Sequence, residues 1–259
     1  MDLGLRDTVT LVTGGSDGLG AALVRTLVAE GGKVALCARN QARLSALADE
    51  LAAGGGDVLG VQADVTAPGD LQRFVDRALD RFGRVDALVN NAGTSAAGRF
   101  ESHTDQVWAS DIELKVMAAV RASRLVIPAL RAAGGGSILN TLAISAKAPG
   151  AGSTPTAVSR AAGLALTKAL SKELGPDNIR VNAVLIGLIE SDQWVRRAES
   201  TGTPLAGLYH QLGTGSGIPL GRVGTAQEFA DLAAFLVSPR GAYLSGVGIN
   251  LDGGLSPVA

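Results

Sequence analysis

Near the start of the chain a strand-like run, a glycine-spaced turn and an amphipathic run follow without a gap: TVTLVT, then GGSDGLG, then AALVRTLVAEGG. A strand that passes directly into a helix must reverse its course within a few residues. Glycine tolerates the positive φ and the close backbone approach that such a turn needs. Gly14 suits the tight turn, Gly18 the close approach to a bound group, and Gly20 the packing of helix on strand. The helix beginning there offers free N–H groups, a ready site for phosphate oxygens.

The same alternation continues to the end of the chain. Strand-like runs stand at 8–13, 33–38, 57–61, 85–90, 137–143, 179–185 and 246–251. Between them lie stretches such as LQRFVDRALDRFG, with apolar residues at helical spacing. This order predicts an α/β fold, a doubly wound parallel sheet with helices on both faces. Hydrophobic residues make up 46% of the chain and aromatic residues only 3%, so the core is expected to be Ala, Leu and Val. No linker or composition break divides residues 1–259, which points to one domain. Residues 190–218 form an insert beyond a strand end that carries Trp194, Leu205, Leu208, Tyr209 and His210. Loops at that place bind ligands in such sheets, so the insert is expected to be a substrate lid.

Several function classes are disfavoured. A net charge of -1 leaves no basic footprint for nucleic acid or an acidic membrane surface. No apolar run is long enough to span a membrane, and the N-terminus lacks a signal-peptide pattern. The lone Cys37 permits no internal disulfide and fits a reducing compartment, so a cytoplasmic protein is expected. His103 and His210 belong to no cluster with metal-ligand spacing, so no metal is expected.

TGGSDGLG (13–20), Asp64-Val65, Asn90-Asn91-Ala92-Gly93, IRVN (179–182) and the closing G-R-V-G to D-G-G pattern (221–254) together resemble the short-chain dehydrogenase/reductase family. The resemblance covers essentially the whole chain. It implies a Rossmann-type sheet of seven parallel strands, a homotetramer, and a small-molecule substrate. It also implies cofactor contacts at Gly14, Ser16, Asp17, Gly18, Leu19 and Gly20. Asp64 and Val65 would hold the adenine, and Asn91, Ala92 and Gly93 the ribose side. Arg160, Gly187 and Ile189 complete the implied cofactor set.

Charge argues for NADP over NAD. An acidic residue at the end of the second strand would bind ribose hydroxyls and repel a 2′-phosphate. Here Ala38-Arg39 stands instead, and a guanidinium pairs with phosphate. Asp17 opposes this, since the NADP enzymes of the family often carry a basic residue there.

The proton chemistry departs from the family's pattern of Asn, Ser, Tyr and Lys. Those positions fall on Lys115, Ala143, Thr156 and Arg160. Threonine is far less acidic than a phenol, and arginine stays charged. Tyr209 and Tyr243, the only tyrosines, stand at no equivalent position. Lys115, Ser145 and Lys147 are therefore the candidate catalytic residues: a lysine desolvated beside Arg160 would have a lowered pKa, and Ser145 would orient a carbonyl. Arg160-Ala161-Ala162-Gly163 and Lys147 also resemble an atypical subgroup similar to β-ketoacyl carrier-protein reductases. Three functions stay open: an NADP-dependent oxidoreductase of a ketone or alcohol, a non-redox lyase or isomerase, and a nucleotide-binding pseudoenzyme.

Overall fold

Along β1 (Val9–Thr13) successive side chains point to opposite faces, and both faces are apolar: Leu11 packs into one core cluster and Val12 into the other. Such a strand is stable only between two layers. The computed structural model describes the backbone of residues 1–259 and every side chain except those of Asp192, Gln193 and Arg196.

After β1 the chain alternates through α1 (Gly18–Ala29), β2 (Lys33–Ala38), α2 (Gln41–Ala53), β3 (Val58–Gln62), α3 (Pro68–Phe82) and β4 (Ala87–Asn90). α4 (Asp105–Ile112) runs through a π-helical turn, Glu113–Met117, into α5 (Ala118–Ala132). β5 (Gly136–Ala143), α6 (Thr156–Glu173) and β6 (Ile179–Ile186) follow. The chain ends with α7 (Asp192–Thr201), α8 (Leu205–Gly215), α9 (Ala226–Val237) and β7 (Gly248–Leu251).

The strands form one sheet in the order β3-β2-β1-β4-β5-β6-β7, and each neighbouring pair is parallel. This is the doubly wound, Rossmann-type α/β fold expected from the alternation. All seven strands lie where the apolar runs stand, with ends displaced by at most two residues and β2 in full agreement. Leu23, Val24 and Leu27 of α1 and Phe229 and Ala233 of α9 cover one face. Phe74 and Val75 of α3 and Val126 and Leu130 of α5 cover the other. α6 joins that second layer, setting Leu164 against Leu142 and Leu185. Residues 190–218 contain α7 and α8, placed after β6. Among the described residues no helix is long and apolar enough to cross a membrane.

The turn after β1 has no slack. Gly14 has φ +65°, and a Cβ there would lie 2.9 Å from Ala92 Cα. A Cβ on Gly20 would come within 2.1 Å of the Gly14 carbonyl oxygen, so α1 lies on the turn at backbone contact. Gly20→Ala is expected to push α1 off β1 and lower stability by about 1–3 kcal/mol in urea unfolding. Gly69→Ala, at a helix position with nothing within 4 Å of the added carbon, should be neutral or slightly stabilising.

Candidate active site

The order of the sheet reverses between β1 and β4, strands that are neighbours in space but far apart in sequence. Ligands bind at the carboxyl ends of strands beside such a reversal. A cleft of about 1020 Å³ opens there. Beneath it, at the reversal, buried Thr13 Oγ1 accepts hydrogen bonds from the backbone N–H groups of Asn91 (3.0 Å) and Ala92 (3.1 Å). The Asn91 side chain returns the tie, donating to the carbonyls of Thr13 (3.2 Å) and Gly14 (3.0 Å). The glycine turn and the end of β4 are thus one rigid unit.

Gly14, Ser16, Asp17, Gly18 and Leu19 line the near wall of the cleft. Gly20 stands behind them as packing. Asp17 caps α1 by accepting from Gly18 N–H at 2.8 Å. It also forms an ion pair with Arg43, from the first turn of α2. Arg43 is a cleft residue that the sequence reading missed. Asn40 caps α2 by accepting from Arg43 N–H, a capping signal that was available in the sequence. Arg39 lines the same end and is exposed, and its guanidinium has no partner among the described residues. The negative charge at Asp17 is therefore balanced within the loop, and Arg39 adds a further positive charge.

Asp64 and Val65 line the cleft beyond β3. Asp64 is held in place by accepting from Thr66 N–H (2.9 Å) and Thr66 O–H (2.7 Å). Ala92 and Gly93 follow β4, and Gly187 and Ile189 follow β6.

The inner end of the cleft is built from β5, α6 and the π-helical turn. Arg160 lies across Gly93, where an added Cβ would come within 2.9 Å of the guanidinium. The guanidinium donates to the Thr141 carbonyl at 2.7 Å. Its Nε and the hydroxyl of Thr141 are enclosed, line the cleft, and have no partner among the described residues. Burial pushes the Arg160 pKa down to about 10, against the opposing charge of Asp111. Unpartnered buried polar atoms are rare in native proteins and call for a ligand or a function.

Lys115 sits in the π-helical turn, and such turns occur often at functional sites. Its side chain has 0% exposure. Its ammonium forms an ion pair with Asp111 and donates to Thr156 Oγ1 at 2.9 Å. Burial lowers its pKa to about 8; Asp111 opposes that shift and Arg160 adds to it. Asp111 is itself buried and also accepts from the Ser159 hydroxyl at 2.6 Å. Asp111 and Ser159 were not identified from sequence, although Asp111 stands one helical turn before Lys115 at ion-pair spacing.

The structure separates the three candidate catalytic residues. Ser145, on the turn after β5, lines the cleft, and its hydroxyl has no partner among the described residues. Lys115 is behind the cleft wall. Lys147 does not join the cluster: its ammonium donates to the Gly248 carbonyl (2.8 Å) and Asn250 Oδ1 (2.9 Å), tying the turn to β7. The turn Ile144–Ala146 carries Lys147 past the strand end, where β7 offers acceptors. Ala143 lines the cleft without a polar group, and Thr156 lines it with its hydroxyl. From the insert, Ser191 and Trp194 reach the cleft, whereas Leu205, Leu208, Tyr209 and His210 do not line it. Tyr243 is fully exposed, far from any proton-donor role. Cys37 borders the cleft, but burial raises its pKa to about 12, so it stays a thiol.

A family model for short chain dehydrogenase matches residues 8–201. The 3-oxoacyl-acyl-carrier-protein reductase of Chlamydia pneumoniae is 33% identical over 256 residues, covering 99% of this chain and 100% of the relative. L-sorbose reductase from Gluconobacter frateurii, solved with NADPH and L-sorbose, superposes with a TM-score of 0.94 at 34% identity, covering 100% of both chains. The NADPH-bound short chain oxidoreductase of Pseudomonas aeruginosa PAO1, which contains an atypical catalytic center, superposes with a TM-score of 0.93 at 34% identity, covering 98% of this chain and 100% of its own. With the family's turn, sheet order and cleft all present, the chain belongs to the short-chain dehydrogenase/reductase family.

Proposed function

We propose that this protein is an NADP-dependent oxidoreductase that interconverts a ketone and an alcohol with a non-standard catalytic set. The observation that carries the reading is the inner end of the cleft, where Arg160 Nε and Thr141 Oγ1 are enclosed without partners beside a glycine-lined cradle. Those atoms fit the polar edge of a nucleotide cofactor, and the N-terminus of α1 fits its pyrophosphate. When bound, the nicotinamide supplies a hydride to a carbonyl carbon or takes one from an alcohol.

Gly14, Ser16, Gly18 and Leu19 would cradle the pyrophosphate, with Gly20 packing α1 beneath them. Asp64 and Val65 would meet the adenine, and Asn91, Ala92 and Gly93 the adjoining ribose. Arg160, Gly187 and Ile189 would border the nicotinamide end. Arg39 would meet the 2′-phosphate, and the Asp17–Arg43 pair removes the repulsion that a bare Asp17 would exert. The NADPH bound in the L-sorbose reductase and in the Pseudomonas aeruginosa short chain oxidoreductase supports the same cofactor. Ser145 is the free hydroxyl placed to orient a carbonyl, in place of a group at Ala143. α7 and α8 would act as the lid, with Trp194 as the side chain that reaches substrate. A homotetramer, implied by the family resemblance, and a cytoplasmic location, to which the lone Cys37 points, complete the proposal.

Lyase chemistry through a lysine adduct is less well supported, because neither Lys115 nor Lys147 lines the cleft. Substrate-dependent oxidation of NADPH across a ketone panel tests the reading. Tight NADPH binding without turnover on any ketone or alcohol would favour a pseudoenzyme.

Arg39→Glu replaces the phosphate's partner with a like charge. NADPH affinity is expected to fall about 10–100-fold, the equivalent of about 1.5–3 kcal/mol, with NADH affinity unchanged or raised, as read by cofactor fluorescence titration. Lys147→Ala should keep kcat and lose about 1–2 kcal/mol of stability, since it strips a cation from the β7 acceptors and nothing from the cleft. A large kcat loss with unchanged stability would return Lys147 to the site.

A further inference from the structure

We infer that the Thr156 hydroxyl is the group that gives its proton to the substrate oxygen, and that Lys115 resupplies Thr156 from behind the cleft wall. The inference rests on the oxidoreductase reading above and names the proton donor which that reading leaves open.

Thr156 is the side chain that connects the cleft to the buried ammonium. Its Oγ1 accepts from Ala96 N–H at 2.9 Å and from Lys115 Nζ at 2.9 Å. Those two bonds use both acceptor positions of a hydroxyl. Its own proton is donated to no acceptor among the described residues, and the residue lines the cleft. Lys115 has no exposed side-chain surface, so it acts on a substrate only through this oxygen. Asp111 accepts from Lys115 and from Ser159, which fixes the ammonium against Thr156. Asp111 is the positioning residue of the set.

A threonine need not be acidic to serve here, because it never carries a net charge. With a bound nicotinamide supplying the hydride, a ketone's oxygen would take on alkoxide charge beside Thr156. The Thr156 O–H bond breaks toward that oxygen while Thr156 Oγ forms a new bond to a proton from Lys115 Nζ. The products are the alcohol, the oxidised cofactor, an intact threonine and a neutral lysine amine. After the alcohol leaves, solvent in the cleft returns a proton to Thr156, which passes one to Lys115. Oxidation of an alcohol runs the same transfers in reverse and starts from neutral Lys115.

The charged groups facing Lys115 are Asp111 on the preceding turn and Arg160 from α6. Their balance with burial leaves Lys115 titrating at about 8. Below that pH the lysine holds the proton that reduction needs. Reduction should therefore slow as pH rises through about 8, and oxidation should speed up over the same interval.

The test uses the full chain and its Thr156→Val, Thr156→Ser and Lys115→Met variants, with three readouts. Lysine side-chain NMR on the ligand-free protein should show one lysine titrating near 8, absent in Lys115→Met. NADPH fluorescence titration should give native affinity for Thr156→Val. Ketone reduction by Thr156→Val should fall about 10²-fold and lose the limb near pH 8, while Thr156→Ser restores both. Native rate and pH profile in Thr156→Val, or no lysine titrating below the ordinary range, would overturn the relay and leave the oxidoreductase reading standing. A native chain that binds NADPH and reduces no carbonyl would overturn that reading, and the relay with it.

Discussion

The hydrogen-bonded tie between Thr13 and Asn91 holds the two halves of the sheet at the point where their order reverses. β1 and β4 are joined by a long excursion through β2 and β3, so their carboxyl ends have no covalent reason to keep a fixed spacing. Beyond the last ladder pair, Val12 with Val89, one threonine hydroxyl and one asparagine amide extend the hold through contacts to backbone alone. Everything in the cleft is measured from that seam. Gly14 and Gly20 close it on one side with backbone approaches, to Ala92 Cα and to the Gly14 carbonyl oxygen, that exclude a side chain. On the other side Asn90 donates to Asn140 (2.9 Å), and Asn140 donates to Thr167 (2.9 Å), which carries the order from β4 across β5 into α6.

α6 then brings Thr156, Ser159 and Arg160 against a second buried unit, the Asp111–Lys115 pair. A buried ion pair is weak evidence for stability, since desolvation costs several kcal/mol per ion before the attraction is counted. With Arg160 nearby, this one carries an excess positive charge into the wall of the cleft. Such an arrangement costs stability, and its effect is electrostatic: burial and Arg160 lower the pKa of an ammonium that has no exposed surface, against the pull of Asp111. The π-helical turn matters here. It widens the helix at Lys115, so that one side chain satisfies both a carboxylate a turn away and a hydroxyl on a different helix.

Much of this was legible in the sequence, for reasons that differ by element. The seven strands announced themselves because a strand buried on both faces is a continuous apolar run, and turns of Gly, Asn and Asp punctuate such runs. The glycine turn was legible because its function is steric and only glycine satisfies it. Arg43 was not legible, because its partner Asp17 belongs to another element and their meeting depends on how α2 leaves β2. Lys147 misled in the opposite sense: its position after β5 is what the sequence showed, but its direction is set by acceptors on β7, over a hundred residues later.

Thr156 is the sharper case, because acidity argues against it and its hydrogen bonds argue for it. Judged by acidity, a threonine cannot replace a phenol, and the sequence reading set it aside for the lysines. Acidity, however, governs a group that must hold the charge when its proton leaves. In the proposed relay Thr156 never has to, because Lys115 already donates to its oxygen and would give a proton there as its own departs. The requirement for a perturbed pKa is moved one bond back, into a pocket dry enough to lower an ammonium toward neutrality. A site of this kind separates two duties that a tyrosine performs alone: contact with the substrate goes to a small neutral hydroxyl, and storage of the proton goes to a buried lysine. In that proposal a threonine occupies less of the cleft than a phenol would, and Ser145 lines the same cleft with its hydroxyl.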